Sequence, residues 1–227
     1  MRRFLALAGL LVVVLSSTST AADKRKEARG FVPLFDGKTF DGWEGNLKVF
    51  RIEHKDGAAE LKEGAIVGGS LKERIARNDY LCTKKSYSDF ELRLKFKLLG
   101  PEVNAGVQIR SERVPNSNEM IGYQADMGQV YWGCLYDERR HKPLAGPSPA
   151  QQQKLIRRND WNEYRILCEG RRVQFWLNGH KTVDYTEPDT SIPQVGVIGL
   201  QIHQGAPTEA WYKDILIKQL PADAPKP

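Results

Sequence analysis

Cysteine is scarce in this chain. Its three residues, Cys82, Cys134 and Cys168, form an odd set that leaves at least one thiol unpaired in an exported monomer. Cys82 and Cys168 sit inside apolar strand-like runs, so they read as core residues and not as a disulfide. No Cys-x-x-Cys and no His-x-x-x-His spacing occurs, which removes the usual structural zinc sites. A Gly-x-Ser-x-Gly elbow and a phosphate-binding loop are also missing. Ordinary glycoside hydrolysis needs two carboxyls across one bond, yet no E-x-D-x-E or E-x-D-x-x-E run exists, and Asp126 has no acidic partner on its own strand.

Long apolar runs are absent apart from one. The opening "MRRFLALAGLLVVVLSSTSTAAD" joins two arginines, an apolar stretch from Phe4 to Leu15 and a small-residue segment ending near Ala21 or Ala22. That is the pattern of a secretory signal over residues 1–22, too short for the roughly twenty residues of a membrane span. The expectation is an exported protein, periplasmic or extracellular, with no membrane span in the mature chain. A net charge of +6 is spread among 34 basic and 28 acidic residues. The one basic cluster, "KRKEAR" at 24–29, lacks interleaved aromatics and reads as part of a solvated linker over 23–30, not a nucleic-acid arm. A single domain over 31–220 and a tail over 221–227 complete the organisation.

Helical periodicity is missing as well. "FELRLKFKL" puts Phe90, Leu92, Leu94, Phe96 and Leu98 on one face and Glu91, Arg93, Lys95 and Lys97 on the other, the mark of a strand with one wet side. "NEYRILCEGRRVQFWLNGHKTVDY" reads as three strands reversing at Glu169-Gly170 and Asn178-Gly179. Further strands fall at "VFRIE", "GAIVGG", "DYLCT", "QVGVIGLQIH" and "WYKDILIKQL". Only "SLKERIARND" (70–79) suggests a turn or two of helix. Eleven or so short strands imply two packed antiparallel sheets, an all-β sandwich, with Val107, Ile109, Leu200 and Ile202 joining the core. Two long connections, 111–120 and 137–160, would form rims.

Three strands carry an unusual polar pair. Gln108 and Arg110, Gln124 and Asp126, and Gln201 and His203 each sit two residues apart, opposed by apolar neighbours. If these faces coincide, a guanidinium, a carboxylate and an imidazole meet on one surface, with glutamines able to read hydroxyls and carbonyls. Glycines flank every pair, as where a ligand or backbone approaches closely. Tyr123, Tyr131, Trp132, Tyr136 and Trp176 are aromatics that could stack on sugar rings, although core packing suits Trp161 and Trp176 equally well.

The ordered segments "FVPLFDGKTFDGW", "GAIVGG", "DYLCTKKSYSDFELRLKFKL", "NAGVQIRS", "IGYQADM", "WNEYRILCEGRRVQFWLNG" and "VGVIGLQIHQGAPTEAWYKDILIKQL" resemble the 3-keto-disaccharide hydrolase domain family. The resemblance spans about residues 31–220. Asn104-Ala105-Gly106 stands where the family commonly has Asn-Ser-Gly, and Lys213 in "WYKDI" stands where it usually has arginine. The resemblance implies a concanavalin A-like, laminarinase-like jelly roll acting on 3-keto sugars or glycans, supplied by a sugar C3-oxidoreductase. It implies Arg110, Gln124, Asp126, Gln201 and His203 as site residues. His203, Asp126 and Arg110 are the catalytic candidates, and Gln108, Gln124, Gln201 and Tyr123 the substrate-binding ones; Tyr123 is included only for its proximity. A divalent metal ligated by His203 and Asp126 is left open. A non-catalytic carbohydrate-binding module on the same sandwich is the alternative, and a structural or cell-surface protein a third reading.

Overall fold

A computed structural model describes residues 29–221. The expected signal segment, most of the expected linker and nearly all of the tail lie outside the described residues. Among the described residues, 31–221 form one compact unit. Two antiparallel sheets face each other. One runs β13 (His180–Thr186), β12 (Arg172–Leu177), β11 (Asn162–Glu169), β6 (Phe90–Leu99), β15 (Thr208–Gln219), β4 (Ala59–Ser70) and β3 (Phe50–Asp56), with β1 (Val32–Pro33) added along β15. The other runs β10 (Lys142–Ala145), β9 (Leu135–Asp137), β8 (Met120–Gly128), β7 (Asn104–Arg113), β14 (Val197–Ile202), β5 (Asp79–Thr83) and β2 (Trp43–Glu44). This is the expected jelly-roll sandwich.

The period of two sets what lies between the sheets. Phe90, Leu92, Leu94, Phe96 and Leu98 of β6 pack there against Val107 and Ile109 of β7 and Leu200 and Ile202 of β14. Each fully buried side chain of this size contributes about 1.5–3 kcal/mol relative to exposure. The turns expected at Glu169-Gly170 and Asn178-Gly179 join β11, β12 and β13, and Asn178, Gly170 and Gly179 all have positive φ there. Trp132 stacks on Phe96 inside the core at 6.4 Å between rings, so it is not a sugar platform.

Three details depart from the sequence reading. Residues 71–78 form bends with one isolated bridge, Ile75 to Gly205, and no helix. A seven-residue helix, α1 (Pro149–Leu155), lies instead within the 137–160 connection. Its length holds no full apolar period; Pro149 at its first turn and the Ser148-x-x-Gln151 capping pair mark it. The outer face of β6 is drier than expected. Lys97 is 5% exposed, its ammonium 5.0 Å from the Trp161 ring and 4.8 Å from that of Trp211, with Asp56 as its ion-pair partner. Trp161 and Trp211 thus pack on the back of the first sheet.

Candidate functional site

The outer face of the second sheet carries the polar pairs in two adjacent rows. Register places Tyr80, Gln201, Gly106 and Asp126 side by side across β5, β14, β7 and β8. The neighbouring row is Cys82, Gly199, Gln108, Gln124 and Tyr136, ending on β9. Ser111 donates to Gln108 Oε1 at 2.7 Å, Gln108 Nε2 to Gln124 Oε1 at 2.9 Å, and Gln124 Nε2 to Asp126 Oδ2 at 3.3 Å. Gly106 makes the last links fit: a Cβ there would lie 2.3 Å from Gln124 Cδ. Gln201 Nε2 donates to the Tyr80 hydroxyl at 2.8 Å, leaving the phenol proton for another acceptor.

Two oxygens in this buried floor have no partner, Asp126 Oδ1 and Gln201 Oε1. A buried polar atom left unpaired costs about 1–3 kcal/mol, so such atoms point to a group that completes them. The Asp126 backbone is clamped by Cys134 O, Gly133 N and the Tyr164 hydroxyl. Helix α1 holds that neighbouring turn through Gln152 Nε2, which donates to Val130 O at 2.8 Å.

Burial dominates the electrostatics. It pushes the Asp126 carboxyl up to about 8, against the opposing hydrogen bond from Gln124 and with help from the Glu138 charge. Asp126 is therefore largely protonated at neutral pH. Glu138 follows β9 and pairs its N–H with Gly122 O at 2.9 Å, so parity sends its side chain to the same outer face. Its carboxyl has no hydrogen-bond partner among the described residues, and burial, then Glu119, raise its pKa. The Tyr80 phenol is raised chiefly by burial, then by Glu138 and Glu119, so it stays a neutral donor. The β7–β8 connection folds over β14 and β5: Met120 packs on Cys82, Glu119 accepts from Asn78, and Arg113 donates to Glu44. Tyr131 meets Tyr136 edge-on at 5.7 Å.

Of the seven residues expected from sequence, Gln108, Gln124, Asp126 and Gln201 come together. Arg110 does not. The β7–β8 ladder slips between Ile109 and Glu112, and Arg110 takes a φ of 49°, so strict alternation ends one residue too soon. Its guanidinium turns away to Asp89, Ser88 O, Gly170 O and Gln194. Tyr123 faces the core and donates to Glu187 at 2.6 Å. His203 keeps the parity of Gln201 but lies just beyond β14, opposite Asn104, with Nδ1 2.6 Å from Gln204 O. No contact joins it to Asp126 among the described residues, nor do three His, Cys, Asp or Glu side chains gather there as metal ligands would. Sequence reasoning missed Tyr80, whose parity in "DYLCT" could have placed it, and Glu138, hidden at the start of a long connection.

A family model for the 3-keto-alpha-glucoside-1,2-lyase-like domain matches residues 30–218. The chain belongs to that family. No curated protein matches it in sequence. Among solved structures, two candidate glycosyl hydrolases of Parabacteroides distasonis ATCC 8503 share its fold. One is 22% identical with a TM-score of 0.59, covering 84% of this chain and 99% of its own. The other is 20% identical with a TM-score of 0.62, covering 87% and 97%. The carbohydrate-binding module CBM66 of Bacillus subtilis is 15% identical, with a TM-score of 0.55 and coverage of 78% and 96%. This 3-keto-glucoside lyase-like sandwich is a carbohydrate-active fold whose outer face holds the glutamine–carboxyl floor.

Proposed function

We propose that this lyase-like domain cleaves 3-keto-glycosides by elimination and rehydration. The observation that carries the reading is the buried, protonated Asp126 with a free Oδ1, beside the unpaired Glu138 carboxyl. A ketone at C3 acidifies the C2 proton. Glu138, as carboxylate, takes that proton, and the developing enolate oxygen accepts hydrogen bonds from Asp126 Oδ1–H and the Tyr80 phenol. A carboxylic acid kept neutral by burial is a suitable donor for an enolate. Collapse of the enolate expels the C1 oxygen, which takes a proton from the Glu138 acid, and leaves a C1–C2 double bond conjugated to the ketone. Water then adds at C1 and a proton returns to C2, completing a net hydrolysis. Gln201 Oε1 would accept from a sugar hydroxyl. His203, two residues past Gln201 and beyond the row, is assigned to the leaving-group side and not to the base.

The same reading places the protein outside the cytoplasm, where a sugar C3-oxidoreductase supplies the ketone. Turnover of 3-keto-glucosides in heavy water tests it. Solvent deuterium is expected at C2 of the released 3-keto sugar, above an enzyme-free blank. Release with C2 hydrogen fully retained in wild type, at rates unchanged by Glu138→Gln, would overturn the mechanism. Binding of saccharides with no turnover of any 3-keto-glycoside would favour a binding module.

A further inference from the structure

Beside Tyr80, three adjoining hollows of about 450, 420 and 400 Å³ lie in succession along residues 74–79 and together form a groove. Each is in the size range of ligand pockets. The first holds Tyr80 and shares Lys48, Arg77 and Asp79 with the second; the second shares Arg74 with the third, which ends at His203. The groove therefore starts at one end of the Tyr80–Gln201–Gly106–Asp126 row and returns to the sheet at His203.

Its charge is one-sided. Four cations, Lys48, Arg74, Arg77 and Arg113, face two carboxylates, Glu73 and Asp79. Asp79 is already engaged, accepting from Asn46 at 3.0 Å with Arg77 3.9 Å away. Arg113 is held by Glu44, outside the groove. Lys48 and Arg74 have no ion-pair partner among the described residues. Unneutralised cations along one wall of a cleft raise the local concentration of anions and bind them through charge-assisted hydrogen bonds.

We propose that this groove seats an anionic saccharide unit, one bearing a carboxylate or a sulfate ester, on the leaving-group side of the site. The proposal deepens the 3-keto-glycoside reading and rests on it for the direction of the chain. The wall shared with Tyr80 selects a saccharide over other anions, because one continuous ligand would span the groove and the floor. Guanidinium and ammonium groups would recognise either anion.

Calorimetric titration of the intact protein with methyl glucuronide, glucose 6-sulfate and neutral methyl glucoside tests the inference without turnover. At low salt the anionic sugars should bind about tenfold tighter than the neutral one, the scale of one or two charge-assisted contacts. The preference should fall to about onefold in Lys48→Glu/Arg74→Glu and shrink at high salt. Preference for only one of the two anions would support the groove and name its ligand. Equal affinity for all three sugars, or a preference that survives charge reversal, would overturn it. Melting curves of the double variant verify that it is folded, and Lys48→Gln/Arg74→Gln gives a milder form if it is not. Because no cleavage is measured, loss of charge preference leaves the elimination mechanism standing, and failure of the heavy-water experiment leaves the groove standing.

Discussion

Asp126 owes its character to where the fold puts it. Its ordinary carboxyl value of 3.8 is pushed up to about 8 by burial, so the folded state holds its proton more firmly than the unfolded chain does. This contribution to stability is complete below about pH 3.8 and is lost as pH rises through about 8. Asp126→Asn, which carries no proton to lose, should melt higher than wild type at pH 9, by about 2–4 °C for each kcal/mol relieved. Asp126→Ala, which removes the donor, should lose roughly 10²–10³ in kcat, the value of one well-aimed donor, and Asp126→Asn, whose amide N–H can take the place of the Oδ1 proton, should lose less. Thermal melts between pH 5 and 9 and steady-state kinetics check both. His203→Ala is expected to keep deuterium exchange at C2 while slowing release of poor leaving groups. Loss of C2 exchange would return His203 to the role of base. At this scale the sequence told much. Gln108, Gln124, Asp126 and Gln201 were legible because unbroken strands alternate reliably, and that is also why Tyr123 had to point inward.

Elements decide what single residues could not reveal. The bulge in β7 takes Arg110 out of the site and makes it a clamp between strand ends, its side chain fully buried against Asp89. Arg110→Ala should destabilise the fold by about 3–5 kcal/mol, since it strands a buried carboxylate. Turnover per folded molecule should stay near wild type, which denaturant titration and kinetics at low temperature can separate. A bulge depends on φ at one residue, and no period-two count signals it. The β9–β10 turn is the other such element. Arg140 pairs with Asp137 and Glu187, and Tyr123 and Tyr185 also donate to Glu187, fixing the turn that presents Glu138. Burial pushes the Glu187 carboxyl up, but Arg140 and Tyr123 outweigh it and hold it down at about 2, against an ordinary 4.5. Its stabilisation is full above about pH 4.5 and disappears as pH falls through about 2. Arg140→Ala should therefore flatten acid unfolding in that window, lower the melting point, and shift the limb of the pH–rate profile that reports Glu138. An unmoved profile would leave Arg140 with a role in stability alone. These partners lie 47 residues apart for Arg140 and Glu187, a separation that sequence patterns cannot join.

The whole molecule stands on packing without covalent staples. All three cysteines are free and buried, and burial pushes each thiol up to about 12. Native protein should give no reaction with a thiol-specific disulfide reagent, and denatured protein three equivalents; its melting temperature should not respond to reductant. One native thiol reacting rapidly would show that a covering element opens. Cys168 lies in the main core as its strand suggested, whereas Cys82 belongs to the small cluster with Tyr80 and Met120 under the β7–β8 connection. The sandwich was legible throughout because some two hundred residues of alternating pattern allow one answer. The covering loops and α1 were not, since their positions follow from what they rest on.

The floor also has a direction. Gln108 accepts at its oxygen from Ser111, whose hydroxyl also lies within reach of Ile109 O and Tyr123 O, and each glutamine donates onward from its nitrogen. The run is one-way, and it ends on Oδ2 of Asp126. That oxygen is committed as an acceptor, so the acid proton is confined to Oδ1, the buried atom with no partner among the described residues. An amide two residues away on the same strand thereby sets which oxygen of the carboxylic acid keeps the proton. Reversing a single amide would aim the proton at the protein itself.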